Sequence, residues 1–127
     1  MYITRDDLVE RFGEAEIMQL ERSIKEANAV ETAIEEACIE VDGYVARQYS
    51  LPLPVVTKSL KRAVATIARY YLWKDKASDK VQKDYDDMIA WLDKVANGKV
   101  YLVFGLESGN SSNTGDGSTF ASGAFVI

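Results

Sequence analysis

The sequence has no histidine. That removes the side chain most often used as a general base near neutral pH, and also the commonest transition-metal ligand. It has a single cysteine, Cys38, which excludes an intrachain disulfide and suits a reducing, cytosol-like compartment. Cys38 borders an apolar helix face and reads as a small buried hydrophobe, because no histidine is available to activate it as a nucleophile. The opening Met1-Tyr2-Ile3-Thr4-Arg5-Asp6-Asp7 has neither the basic start nor the apolar run of a secretory signal, and no later stretch is an uncharged span of membrane length. No glycine cluster sits at a strand-to-helix transition, so a phosphate-binding loop is also missing. Adjacent carboxylates occur at Glu35-Glu36 and Asp86-Asp87. Neighbours on a helix point about 100° apart, so each pair diverges instead of converging on one ion. Catalysis, cofactor binding and metal binding are not expected.

What is present is a chain of 127 residues, 47% apolar and 28% charged, which is enough for one compact core. Acids outnumber bases 20 to 15, a net charge of −5. The mean surface potential therefore repels nucleic acid and acidic membranes, and any DNA contact needs a local basic patch.

Thr4 is a good N-cap, Asp6 and Asp7 favour a helix N-terminus, and Gly13 after Phe12 is a natural stop, so Thr4 to Phe12 reads as a short helix. Glu14 to Arg22 reads as a second short turn carrying Ile17, Met18 and Leu20. From Ala29 to Tyr49, Val30, Ile34, Ala37, Val41, Tyr44 and Val45 recur at three- and four-residue steps, the pattern of a long amphipathic helix. Gly43 inside it suggests a close helix crossing, with Tyr44 buried and Asp42 paired locally; the alternative is a subunit contact made by Asp42, Gly43, Tyr44 and Arg47. Ser50-Leu51-Pro52-Leu53-Pro54, which holds the only two prolines, breaks that helix. The next one starts near Val56 or Thr57 and runs to about Lys74, burying Leu60, Val64, Ile67 and Tyr71. A last helix, capped by Asp79 and stopped at Gly98, carries the stripe Val81, Tyr85, Met88, Leu92 and Val95. The expected fold is mainly α: a bundle of three longer helices plus a short N-terminal one.

Beyond Gly98 the character changes. Lys99-Val100-Tyr101-Leu102-Val103-Phe104 is β-prone, and residues 105–123 are rich in glycine, serine and asparagine. The expectation is a helical unit over residues 1–98 and, over 99–127, a strand with a flexible tail. The strand would pair with Phe120 to Ile127 as a hairpin or with another chain.

Four stretches in order resemble a family of small neck proteins of Mu-like phages. They are Met1 to Gly13; Val41-Asp42-Gly43-Tyr44-Val45-Ala46-Arg47-Gln48-Tyr49 followed by Leu51-Pro52-Leu53; Ile67-Ala68-Arg69-Tyr70-Tyr71-Leu72; and Tyr85-Asp86-Asp87-Met88-Ile89-Ala90-Trp91-Leu92 leading to Gly98-Lys99. The resemblance implies a head-tail connector or adaptor, a head-completion protein with no catalytic residues. Such a subunit forms a homo-oligomeric ring on the portal, can be monomeric until the portal templates that ring, and offers a platform to the next neck or tail-terminator protein. It implies the host cytoplasm during assembly and the virion neck thereafter. Some relatives end in a motif containing arginine and phenylalanine, whereas this chain ends Phe120-Ala121-Ser122-Gly123-Ala124-Phe125-Val126-Ile127.

Two sets of candidate residues follow. Lys58, Arg62, Arg69 and Lys76 line up at helical spacing opposite the apolar stripe, and could touch packaged DNA. A solvated face paired to acids on a neighbouring helix is the ordinary alternative for such a stripe. Large apolar residues off the core faces, Ile39 and Trp73, are candidate interface anchors, together with Val100, Tyr101, Leu102, Val103, Phe104 and Phe125 of the C-terminal segment. A competing class is a small DNA-associated or regulatory prophage protein that uses the basic stripe.

Overall fold

The computed structural model describes residues 1–104, apart from the side chain of Asp75. Among the described residues five α-helices form the fold, each delimited by local chemistry. Helix α1 (Arg5–Phe12) begins in a capping box: the Thr4 hydroxyl accepts from the Asp7 N–H, and the Asp7 carboxylate accepts from the Thr4 N–H at 2.9 Å. Gly13, at φ +96°, separates it from α2 (Glu14–Ile24). Lys25 and Asn28, both in the left-handed region, turn the chain into α3 (Ala29–Val45). Helix α4 (Lys58–Trp73) is capped by the fully buried Thr57, whose Oγ1 accepts from the Leu60 N–H at 3.1 Å. A single 3₁₀ turn, Lys74–Lys76, leads to α5 (Asp79–Ala96), where Ser78 and not Asp79 is the cap, accepting from the Val81 N–H.

The end of α5 shows why glycine stands at position 98. The Gly98 N–H donates to the Val95 carbonyl and the Lys99 N–H to the Lys94 carbonyl, with Gly98 at φ +75°. This is the 6→1 and 5→2 hydrogen-bond pair of a Schellman motif, which satisfies the last carbonyls and needs a left-handed residue at that position.

Helix α4 is the central element. Leu60, Ala63, Val64, Ala65, Ile67 and Ala68 are all fully buried, covered by α3 and α5 and by the α1–α2 pair. Alanines at α4 positions 63, 65 and 68 and at α3 positions 33 and 37 let the backbones approach closely, while Ile34, Val41, Leu92 and Val95 fill the layers between.

Three expectations change. Helix α3 ends at Val45 and not near Tyr49: the Arg47 and Gln48 N–H groups turn to the carbonyls of Tyr44 and Val45, three residues back, which tightens the chain and swings Tyr49 toward the C-terminal segment. Gly43 is no crossing point. It is exposed, and a Cβ built there meets nothing within 4 Å. Nor is there a β-strand among the described residues. Residues 99–103 run as irregular chain, and the Leu102 N–H goes to the Tyr49 hydroxyl at 2.9 Å instead of to a ladder partner. The expected hairpin return, the flexible tail and Phe125 lie outside the described residues.

Candidate interaction surfaces

The strongest electrostatic feature is centred on Arg69. Its Nε and Nη2 donate to the two carboxylate oxygens of Glu16 at 2.7 and 3.1 Å, its Nη1 lies 3.7 Å from Asp84, and its guanidinium sits 4.4 Å from the centre of the Phe12 ring. The indole Nε1 of Trp73 donates to the same Glu16 carboxylate at 3.0 Å. Four helices meet there: α1 through Phe12, α2 through Glu16, α4 through Arg69 and Trp73, and α5 through Asp84. Burial alone would raise the Glu16 carboxyl pKa. The hydrogen bonds from Arg69 and Trp73, with the arginine charge, outweigh it and leave Glu16 below the ordinary glutamate range.

This geometry disposes of part of the basic stripe. Arg69 is consumed inside the molecule, while Lys58, Arg62 and Lys76 are exposed; Lys58 is itself engaged within the molecule. Trp73, expected on an outer face, is half-buried and tied to α2. It lies on the side of α4 away from the core stripe, and α2 covers that side, which turns an apparent outer face into an inner one.

A second polar knot holds α3 to the other two long helices. The Glu40 carboxylate accepts from the Tyr71 hydroxyl and, at 3.4 Å, from the Tyr85 hydroxyl, while the Tyr70 and Tyr85 rings stack with centroids 4.0 Å apart. Burial and then the bond to Glu40 push the Tyr71 phenol pKa upward, so it stays protonated as a donor. A third tie fixes the N-terminus. The Tyr2 hydroxyl donates to Asp42, and the Tyr2 N–H lies 3.5 Å from the Cys38 sulfur. Asp42 is thus paired with a residue 40 positions away and not locally. The Cys38 thiol is buried, which pushes its pKa up and keeps it an unreactive thiol. The divergent carboxylates go separate ways along α5: Asp86 accepts from Gln82, and Asp87 pairs with Lys83. Among the described residues no group of three or more histidine, cysteine, aspartate or glutamate side chains is placed to hold a metal, and no helix is long and apolar enough to cross a membrane.

Several large apolar side chains also stand outside. Ile39 on α3 is 65% exposed, Tyr101 66% and Val103 44%; Met1 and Leu51 are exposed as well and flank one shallow groove with Pro52 and Val56. The C-terminal segment alternates. Val100, Leu102 and Phe104 turn inward, with Phe104 edge-on to Tyr49 (centroids 5.8 Å apart, planes at 85°), and Tyr101 and Val103 turn outward.

Compared with known proteins, the sequence matches the family described as "Bacteriophage Mu, Gp36" over residues 2–121. The chain belongs to the Mu Gp36 family. It is 36% identical over 107 residues to the Mu-like prophage FluMu protein gp36 of Haemophilus influenzae, covering 80% of this chain and 75% of that one. It is 33% identical over 104 residues to gene product J of Escherichia phage Mu, covering 77% and 73% respectively.

For this Gp36-family chain, then, the candidate interface residues divide. Ile39, Tyr101 and Val103 face outward; Trp73, Val100, Leu102 and Phe104 serve the internal packing. The sequence reading missed a groove of about 530 Å³ floored by α4 and walled by the end of α1 and by α5, whose lining includes Arg11, Phe12, Arg62, Met88 and Trp91. The spacing of Met88 and Trp91 on α5 was a signal for it. Both were open to reading as core, and only the position of α1 leaves a gap above them.

Proposed function

We propose that this chain is a structural connector of the phage neck, a helical subunit that assembles as a ring on the portal and joins the head to the next neck or tail component. One observation carries the reading. Three polar clusters, Glu16–Arg69–Trp73, Glu40–Tyr71–Tyr85 and Tyr2–Asp42, tie helices together, whereas large apolar side chains at Ile39, Tyr101 and Val103 are left outside. Such a surface suits docking to other proteins better than chemistry on a small molecule. Membership of a Mu-like phage family supports it. The loss of Arg69 from the basic stripe favours protein docking over the DNA-associated alternative, since an acidic chain with a broken stripe has little to offer a phosphate backbone. The subunit would be made in the host cytoplasm and end in the virion neck, with at most passive contact to packaged DNA. The test is co-sedimentation of the purified chain with portal rings from the same phage. Saturable binding supports the connector. Retention on duplex DNA that falls steeply with salt, without portal binding, would favour the alternative.

A further inference from the structure

Two surfaces of this molecule are complementary and lie on opposite sides of it. The first is the outer face of α3. About 100° per residue separates successive positions, which puts Ile39 roughly 160° from Val41 at the centre of the buried stripe. Around it stand Glu31, Glu35 and Glu36, all exposed and none in an ion pair among the described residues. The second is the groove above α4. Ser59, Arg62 and Thr66 line its floor, and by the same helical arithmetic they point on average about 140° away from the stripe of Leu60, Val64, Ile67 and Tyr71. Tyr71, on that stripe, hydrogen-bonds Glu40 and so marks the α3 side of α4. The groove therefore opens away from α3, while the Ile39 face looks outward on the far side.

Their chemistry matches. The groove offers the apolar surfaces of Phe12, Met88 and Trp91, and its rim carries Arg11 and Arg62, both exposed and without an ion pair among the described residues. The acids beside it are already taken: Asp84 by Lys80 and Arg69, Asp87 by Lys83. Among the described residues, a groove of mixed lining, with an apolar patch of Phe12, Met88 and Trp91 and two arginines outside any ion pair, answers a large exposed aliphatic residue flanked by unpaired carboxylates on the other side.

The geometry points to a head-to-tail contact between copies of this chain, in which Ile39 of one subunit enters the Phe12–Met88–Trp91 groove of the next while Glu35 and Glu36 face Arg11 and Arg62. The contact rests on the connector reading for its setting, and supplies the step by which a ring would propagate. Two different patches on opposite sides give a heterologous interface, which closes into a ring or runs on as a filament, whereas one self-complementary patch stops at a dimer. A single helix face in one groove buries less than the roughly 1,200 Å² of a stable interface. Free subunits should then associate weakly, with a dissociation constant on the order of 0.1 mM, and become firmly joined only when held side by side.

Sedimentation velocity of the full chain up to millimolar concentration tests this, using Ile39→Asp and the double variant Arg11→Glu/Arg62→Glu, with circular dichroism confirming that both fold. Wild type should form species larger than a dimer, and each variant alone should weaken association at least about tenfold. An equimolar mixture of the two has one intact contact per pair and should stop at a dimer. Adding Glu35→Lys/Glu36→Lys to the arginine double variant should restore larger species. A wild type that stays monomeric, a variant that associates like wild type, or a mixture that never dimerises would overturn the contact. Its fate is separable from that of the connector: wild-type chain present in isolated necks alongside failed solution arms removes this contact alone, and wild-type chain absent from necks removes the connector.

Discussion

Replacing Arg69 by methionine removes the centre of the four-helix knot while keeping most of the side chain's volume. The pair it breaks is mostly out of water, with 14% of the Arg69 side chain and 22% of the Glu16 side chain exposed. Exposed pairs contribute about 0.2–1 kcal/mol, and breaking a fully buried pair costs about 3–5 kcal/mol because a charge is left stranded. The exposures place this pair nearer the buried limit, and the Phe12 contact adds about 0.5–1 kcal/mol. The Trp73 indole and residual water still solvate Glu16, which lowers the cost. A loss of about 2–3 kcal/mol is expected, a fall in Tm on the order of 10 °C for a chain of this size. Urea unfolding followed by tryptophan fluorescence and circular dichroism measures it, and a double-mutant cycle with Glu16→Gln should give a coupling of at least about 1.5 kcal/mol. The same pair sets a pH signature. The Glu16 carboxyl lies below its ordinary value of 4.5 in the folded chain, so its contribution is fully present above that value and is lost as pH falls through the lower folded one. Glu16→Gln should flatten the acid limb of the stability curve. A coupling below about 0.5 kcal/mol, with an unchanged acid limb, would refute the view that this knot holds the short helices to the bundle.

Other substitutions probe single features. Gly43→Ala should stabilise by about 0.5–1 kcal/mol, seen as a higher urea midpoint, because position 43 is helical and exposed and its Cβ meets nothing. Gly98→Ala should cost about 1–2 kcal/mol in the same assay, because alanine would have to hold φ +75° at the end of α5. Thr57→Val keeps the shape but removes the cap of α4 in a fully buried place, and should lower stability by about 1–2 kcal/mol.

The features legible in the sequence were local ones. The Thr4 cap, the Gly98 stop and the stripe Leu60, Val64, Ile67 declare themselves within a few residues, since capping and helical periodicity are short-range. Partnerships between helices were not legible. Glu16 and Arg69 are 53 residues apart, and Glu40 and Tyr71 are 31 apart; whether they meet depends on how helices rotate and on which face α2 covers. Trp73 shows the consequence, since a residue opposite the core stripe of an isolated helix becomes internal once a second layer lies over it. The run Lys99–Phe104 failed differently. Its alternation is real, with Leu102 inward and Tyr101 and Val103 outward, but alternation reports which side chains are buried and not whether a neighbouring strand exists to pair with. The same segment keeps two outward apolar residues, so the exposed half of it remains part of the proposed docking surface.

If the chain is a neck component whose work is docking, cryo-electron microscopy of the assembled neck will show it in place. The connector account expects the five-helix subunit to be resolved as a ring seated on the portal, with Tyr101 and Val103 against a neighbouring protein. Density for the subunit inside the capsid or along the tail tube, or complete joined particles from which it is absent, would contradict it.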